Sequence, residues 1–267
     1  MTRNLALRIR ACIFVVGAIV AASVRANDGS AAPPPASASP IRVAIYTINQ
    51  DSDPKSYKLL HARDDLRVTY LRGFDIRAGR LDDFDLLFVP GGSASKQARF
   101  MEEEGREKVR EFVRHGGGYM GICAGGYLAT CSYDWGLNIL DAKTVDREHW
   151  ARGIGTVEIE LSRPAQSLFE SNLQRVLIHY GNGPILAPAE NDQIPDFEVL
   201  ATYRSEVTKK NVPGGVMPDT PAAVRSTYGK GRVIVFSCHP DIPTATVTEG
   251  LQAWLPRMIY WAAGRDE

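Results

Sequence analysis

Residues 118–129 read Gly118-Tyr119-Met120-Gly121-Ile122-Cys123-Ala124-Gly125-Gly126-Tyr127-Leu128-Ala129. A short apolar run ends in Gly-x-Cys-x-Gly-Gly, and a small-residue helical pattern follows. This is the nucleophile-elbow arrangement, with Cys where hydrolases often carry Ser. A sharp strand-to-helix turn brings backbone segments too close for a Cβ two residues before and two after the nucleophile. Gly121 and Gly125 occupy those places. The turn would hold the Cys123 sulfur at the carboxyl end of a strand and at the first turn of a helix, where the dipole favours a thiolate. The competing reading is a buried structural cysteine in a Gly-rich turn.

Working outward, strands alternate with helices. Ile41–Thr47, Leu66–Leu71 and Phe84–Val89 are rich in apolar and β-branched residues and read as strands. A helix start is expected at Asp53-Pro54. Met101–His115 carries Val109, Phe112 and Val113 on one helical face and ends at Gly116-Gly117-Gly118. Tyr119–Ile122 is the strand leading into the elbow. This alternation predicts an α/β, flavodoxin-like three-layer sandwich with a mostly parallel sheet. Sites in such sheets form at the carboxyl ends of strands. Further strands are expected over Thr156–Leu161, Arg175–Tyr180 and Phe197–Tyr203, and a surface loop over Lys209–Pro221. Ala222–Thr227 and Arg232–Phe236 read as a C-terminal β-hairpin, and Val247–Ala263 as the last helix.

The chain has 267 residues, with 31 basic and 31 acidic side chains. Its beginning reads as a secretory signal peptide: a basic start (Arg3, Arg8, Arg10), an uncharged apolar run from Ala11 to Ala22, and an A-x-A-like exit at Val24-Arg25-Ala26. The run is short for a bilayer span. The expectation is therefore export to a periplasm or the extracellular space, with no stable membrane insertion after cleavage. Cleavage after Ala26 removes four Arg and leaves 27 basic against 31 acidic residues, about −4. That argues against a nucleic-acid partner, which would need a basic face. Residues 27–40 are Ala/Pro/Ser-rich and read as a linker, which assigns the folded domain to 41–265. Three cysteines remain: Cys123, Cys131 and Cys238. Cys131 and Cys238 could pair with each other or sit apart as thiols. No Cys/His cluster suggests a metal, and no cofactor is implied.

Three strand ends carry matching chemistry: Gly91-Gly92, Cys123 and His239-Pro240-Asp241. A thiol nucleophile needs a basic partner, and that partner needs an orienting acid. His239 would serve Cys123. Asp241 is two residues on, so its side chain points the same way on an extended backbone. Glu148 and Glu249 stay open as alternative orienting acids. Backbone amides at Gly92 and Ala124 would form the oxyanion hole.

Val89-Pro90-Gly91-Gly92, Gly121–Tyr127 and Cys238-His239-Pro240-Asp241 resemble the class I glutamine amidotransferase-like superfamily. Within it the chain is most similar to the biotin–protein ligase N-terminal domain family, over roughly Ile41–Ala263. The resemblance implies a flavodoxin-like sheet with a Cys-His-acid triad. Tyr180-Gly181-Asn182-Gly183 resembles a Gly-rich pocket loop of this family, with a plain turn as the other reading. The substrate-binding candidates are Gly91, Gly126, Tyr127, Tyr180 and Asn182, and Arg147, His149 and Trp150 could line the mouth of the site. Two departures stand out. Gly126 and Tyr127 replace the residues that hold glutamine, and Asp241 replaces the family's Glu. The expected function is an exported thiol-dependent hydrolase or amidase of a small C–N substrate. The alternatives are a non-catalytic ligand-binding module and a redox or glyoxalase-like thiol. The expected partner is a small molecule, and the oligomeric state stays open.

Overall fold

The computed structural model describes residues 39–48 and 57–265. The signal-peptide reading, most of the linker and the Asp53-Pro54 helix start lie outside the described residues. In chain order the described elements begin with β1 (Ile41–Tyr46), α1 (Lys58–His61), β2 (Leu66–Leu71), α2 (Gly73–Arg77) and β3 (Leu86–Val89). Then come α3 (Ala94–Arg114), β4 (Gly118–Ile122), α4 (Ala124–Ala129), β5 (Ala142–Thr144), β6 (Ile154–Leu161) and α5 (Arg163–Leu168). The chain closes with β7 (Arg175–Gly181), β8 (Leu186–Pro188), β9 (Glu198–Tyr203), β10 (Pro221–Tyr228), β11 (Gly231–Phe236) and α6 (Trp254–Ala262).

Nine strands form one sheet in the order β2-β1-β3-β4-β11-β10-β9-β6-β7. The half from β2 to β11 is parallel. The hairpin β10–β11 reverses direction, and β9, β6 and β7 continue antiparallel. The central parallel strands β3, β4 and β11 are buried on both faces, as their near-continuous apolar runs require. On one face, Val43, Ile45, Phe88, Met120, Ile122, Ile234 and Phe236 pack with Trp254, Leu255 and Met258 of α6. On the other, Ala44, Leu87, Val89, Tyr119, Val233 and Val235 pack with Met101, Val109 and Val113 of α3.

Register does the positioning. Val89 is level with Gly121 in the β3–β4 pair, and Phe236 with Ile122 in the β11–β4 pair. The loops leaving β3, β4 and β11 therefore emerge side by side. They carry Gly91-Gly92, Cys123 and His239 to one rim of the sheet.

Several element bounds differ from the sequence expectation. The helix expected from Met101 begins at Ala94 and carries a non-helical residue at Glu102 (φ 61°). The last helix is Trp254–Ala262, preceded by a 3₁₀ turn at Leu251–Ala253, and does not reach back to Val247. The irregular stretch after Asp134 contains β5, which pairs with β8 in a separate small sheet. Cys131 and Cys238 are both free thiols. Cys131 donates to the Leu140 carbonyl at 3.3 Å. Cys238 is fully buried, and burial pushes its thiol up to about 12.

Candidate functional site

Cys123 sits at φ 51°, ψ −97°, between β4 and α4. A non-Gly residue in this region is strained and persists only where its surroundings enforce it. The enforcement is visible. A Cβ on Gly125 would lie 2.1 Å from the Val89 carbonyl oxygen, and one on Gly121 would lie 2.7 Å from the Gly125 carbonyl carbon and oxygen. β3, β4 and α4 meet at backbone contact, which only glycine permits. The Cys123 amide is fixed by donation to the Phe236 carbonyl at 2.8 Å. Its sulfur lies 3.5 Å from the Gly181 carbonyl oxygen, the acceptor for the thiol proton.

His239 is buried directly after β11. Its backbone N–H donates to the His179 carbonyl at 2.8 Å, which ties the loop to β7. Nδ1 lies 3.1 Å from Asp241 Oδ1, and the second Asp241 oxygen accepts from the Tyr57 hydroxyl at 2.8 Å. Burial opposes charging of the imidazole. The hydrogen bond to Asp241, the neighbouring Cys123 sulfur and the Asp241 charge outweigh it and raise the His239 pKa to about 10. Nδ1 is thus held by the acid and the other ring nitrogen is left for the thiol. The His239 ring rests on Gly91, where a Cβ would come within 2.6 Å of its Cε1. Glu148 and Glu249 are exposed, and it is Asp241 that contacts the imidazole.

A cavity of about 460 Å³ opens over the sulfur. It is lined by Gly92 and Ser93 from the loop after β3, by Cys123 and Tyr127, and by Gly181 and Asn182. Tyr133, Trp135, Arg147 and Trp150 also line it. The segment bearing Arg147 and Trp150 is clamped from behind. Asp146 accepts from the His149 amide at 3.0 Å and from Arg152 Nη1 at 2.6 Å, and Arg152 is only 1 % exposed. Asn182 is structural at its tip, since its Oδ1 accepts from the Gly153 amide at 2.8 Å. A second cavity, of about 450 Å³, reaches His239 and Asp241 from the side of Gly91, Tyr57 and Gln97. A third, of about 530 Å³, lies at the amino ends of β3 and β4, away from the nucleophile.

Gly91, Gly126, Tyr180 and His149, all expected at the pocket, do not line this cavity; Gly91 borders the second one. Tyr180 is fully buried, and its hydroxyl donates to the Gly183 carbonyl at 2.8 Å. Its neighbour Gly181 lines the cavity instead. Gly126 faces inward, and a Cβ there would meet Val235 and Pro184. Its position is set by helix packing. Tyr127 does line the cavity, with its hydroxyl donating to the Asn182 carbonyl at 3.1 Å. Ala124 is the first residue of α4, where amides lack an intrahelical partner.

Sequence reasoning missed Tyr57, His179, Tyr133 and Trp135. His179 stands beside the imidazole, with ring centroids 5.7 Å apart. Burial and the charge on His239 hold its pKa below the usual histidine value. The Tyr133/Trp135 pair could have been noticed as an aromatic concentration just past the elbow helix. Tyr57 gave no local signal, because its partner is 184 residues away.

Among the described residues, no group of three or more His, Cys, Asp or Glu is arranged to hold a metal ion, and no helix is long and apolar enough to cross a membrane.

The model of the family described as "Biotin-protein ligase, N terminal" matches residues 82–148 and 146–254. The chain is similar to the biotin–protein ligase of Schizosaccharomyces pombe, at 25% identity over 171 residues, covering 58% of this chain and 25% of that protein. It thus spans about a quarter of the ligase's length. It is also similar to the pyridoxal 5'-phosphate synthase subunit PdxT of Thermosipho africanus, at 26% identity over 183 residues, covering 65% of this chain and 82% of that protein. Among solved structures, PurLQS from Thermotoga maritima shares the fold with a TM-score of 0.56 at 16% identity, covering 83% of this chain and 99% of that one.

Proposed function

The chain belongs to the biotin-protein ligase N-terminal family, within the class I glutamine amidotransferase-like proteins, and on that premise we propose that it is an exported, thiol-dependent hydrolase of a small C–N substrate. The carrying observation is the arrangement around one imidazole: Asp241 on Nδ1 at 3.1 Å, with Cys123 near enough to help raise the imidazole pKa. A thiolate is the nucleophile in such pairs, and a positively charged imidazole stabilises it.

The reaction follows from the geometry. The Cys123 thiolate adds to the carbonyl carbon of a bound amide, and the oxygen takes up negative charge. Amides at Gly92 and Ala124 hold that oxyanion, an interaction worth about 3–4 kcal/mol per donor in other acyl-transfer sites. The C–N bond breaks as His239 gives its proton to the leaving nitrogen. Water then attacks the thioester while His239 takes a proton from it, and the acid and free thiol are released. Asp241 keeps the imidazole in the orientation and tautomer that both steps need.

Glutamine is disfavoured as substrate, because Gly126 is packed into the protein and the Tyr127 hydroxyl is already committed to the Asn182 carbonyl. The same observation favours a second reading, a ligand-binding module on this scaffold. Ammonia release from a panel of primary amides separates the two. Release abolished in Cys123→Ala supports the hydrolase. Saturable binding with no release in the unaltered protein supports the module. The proposed compartment rests on the sequence of residues 1–26.

A further inference from the structure

We propose that the cavity over Cys123 selects an amide whose acyl part is a planar aromatic ring with an anionic substituent. This rests on the hydrolase reading for what happens to the ligand, and on separate observations for what the ligand is. Four aromatic side chains line the cavity: Tyr127, Tyr133, Trp135 and Trp150. Two of them already form a stack, with the Tyr133 and Trp135 ring centroids 4.3 Å apart and 13° between planes. A third, Trp150, is 55 % exposed, although a large apolar side chain gains by being covered. Aromatic faces and edges make their best contacts with other rings. At about 460 Å³ the space is within the range of small-ligand pockets. It leaves room for a ring beyond the reacting carboxamide.

The charge preference comes from Arg147. Its guanidinium lies 4.7 Å from the Tyr133 ring centroid, on the cavity wall. Among the described residues it has no acidic partner, whereas Arg152 nearby is paired with Asp146. An uncompensated guanidinium in an aromatic-lined cavity repels a cationic ligand and attracts a carboxylate, which it can grip with two parallel hydrogen bonds. Its seat on Tyr133 places it beside the stack, so ring and anion would be read together.

The test measures binding to the Cys123→Ala protein, where turnover cannot occur, by quenching of tryptophan fluorescence. The probes are 4-carbamoylbenzoate, unsubstituted benzamide, 4-(aminomethyl)benzamide and glutamine. The expected order places 4-carbamoylbenzoate at least tenfold tighter than the aminomethyl compound and than glutamine, with benzamide between. Trp150→Ala, a change at an exposed side chain, should weaken both neutral and anionic aromatic amides at least fivefold. Arg147→Gln should erase the advantage of the carboxylate while leaving benzamide within twofold. Glutamine binding as tightly as the aromatic amides, equal affinity across the panel, or no binding by any aromatic amide would overturn the proposal. The hydrolase reading fails separately, by alkylation of Cys123 that is indifferent to His239.

Discussion

The Tyr57 hydroxyl donates to Asp241 Oδ2 at 2.8 Å, across 184 residues of sequence, and so holds the acid that in turn holds His239. Asp241 is buried, and both its oxygens are engaged. The Tyr57 hydroxyl is itself held neutral, its pKa pushed far up by burial and by the Asp241 charge. It is therefore a fixed donor at every pH at which the protein would work. Tyr57→Phe removes that donor and leaves one carboxylate oxygen buried without it. The expected loss is about 1–3 kcal/mol of folding free energy, read as a lower urea midpoint at unchanged slope.

Asp241→Asn preserves shape and removes charge. It should lower the imidazole pKa from about 10 toward the ordinary 6.5, and slow acyl transfer at pH 7 by a factor of about 10²–10⁴ if the imidazole acts as general acid and base. The two readouts are the His239 ring-proton titration by NMR and ammonia release.

A raised histidine pKa also sets a stability profile. The folded protein holds the His239 proton up to about pH 10, while the unfolded chain releases it near 6.5. The stabilisation is complete below pH 6.5 and is lost as pH climbs through about 10. His179 acts with the opposite sign. Its folded pKa is lowered, so its contribution is present above 6.5 and disappears as pH falls through the folded value. Subtracting the urea-derived profile of His239→Gln from that of the unaltered protein should isolate the alkaline loss, and His179→Gln the acidic one.

Two glycines separate folding from chemistry. Gly125→Ala would drive a Cβ to 2.1 Å from a backbone oxygen, which cannot swing aside, and should yield an unstable or insoluble protein. Gly91→Ala meets the His239 ring at 2.6 Å. It should fold, but with the imidazole displaced and Cys123 less reactive. Thermal melting and alkylation rates distinguish the two.

Much of this is legible in the sequence because the central parallel strands are buried on both faces. Ile41–Tyr46, Leu86–Val89 and Arg232–Phe236 announce themselves as apolar runs, and the spacing around Cys123 requires an elbow. Cys123, His239 and Asp241 could be read together because each follows a strand directly. The antiparallel extension is legible as strands but not as a continuation of the sheet, since pairing order is a tertiary property. Tyr180 and Gly181 differ by one residue and by face: along β7 alternate side chains face opposite ways, so Gly181 borders the cavity while Tyr180 points into the core. α6 starts later than the apolar pattern from Val247 suggests, because Thr248 is drawn to β7 instead, with its amide donating to the Leu177 carbonyl at 2.8 Å.

The most direct test of the central claim is the rate of Cys123 alkylation by iodoacetamide between pH 5 and 10, in the unaltered protein and in His239→Ala. A thiolate–imidazolium pair predicts substantial alkylation already at pH 6, falling at least tenfold at that pH in the variant and recovering only under alkaline conditions. Indistinguishable profiles in the two proteins would contradict the pairing of Cys123 with His239, and with it the hydrolase reading.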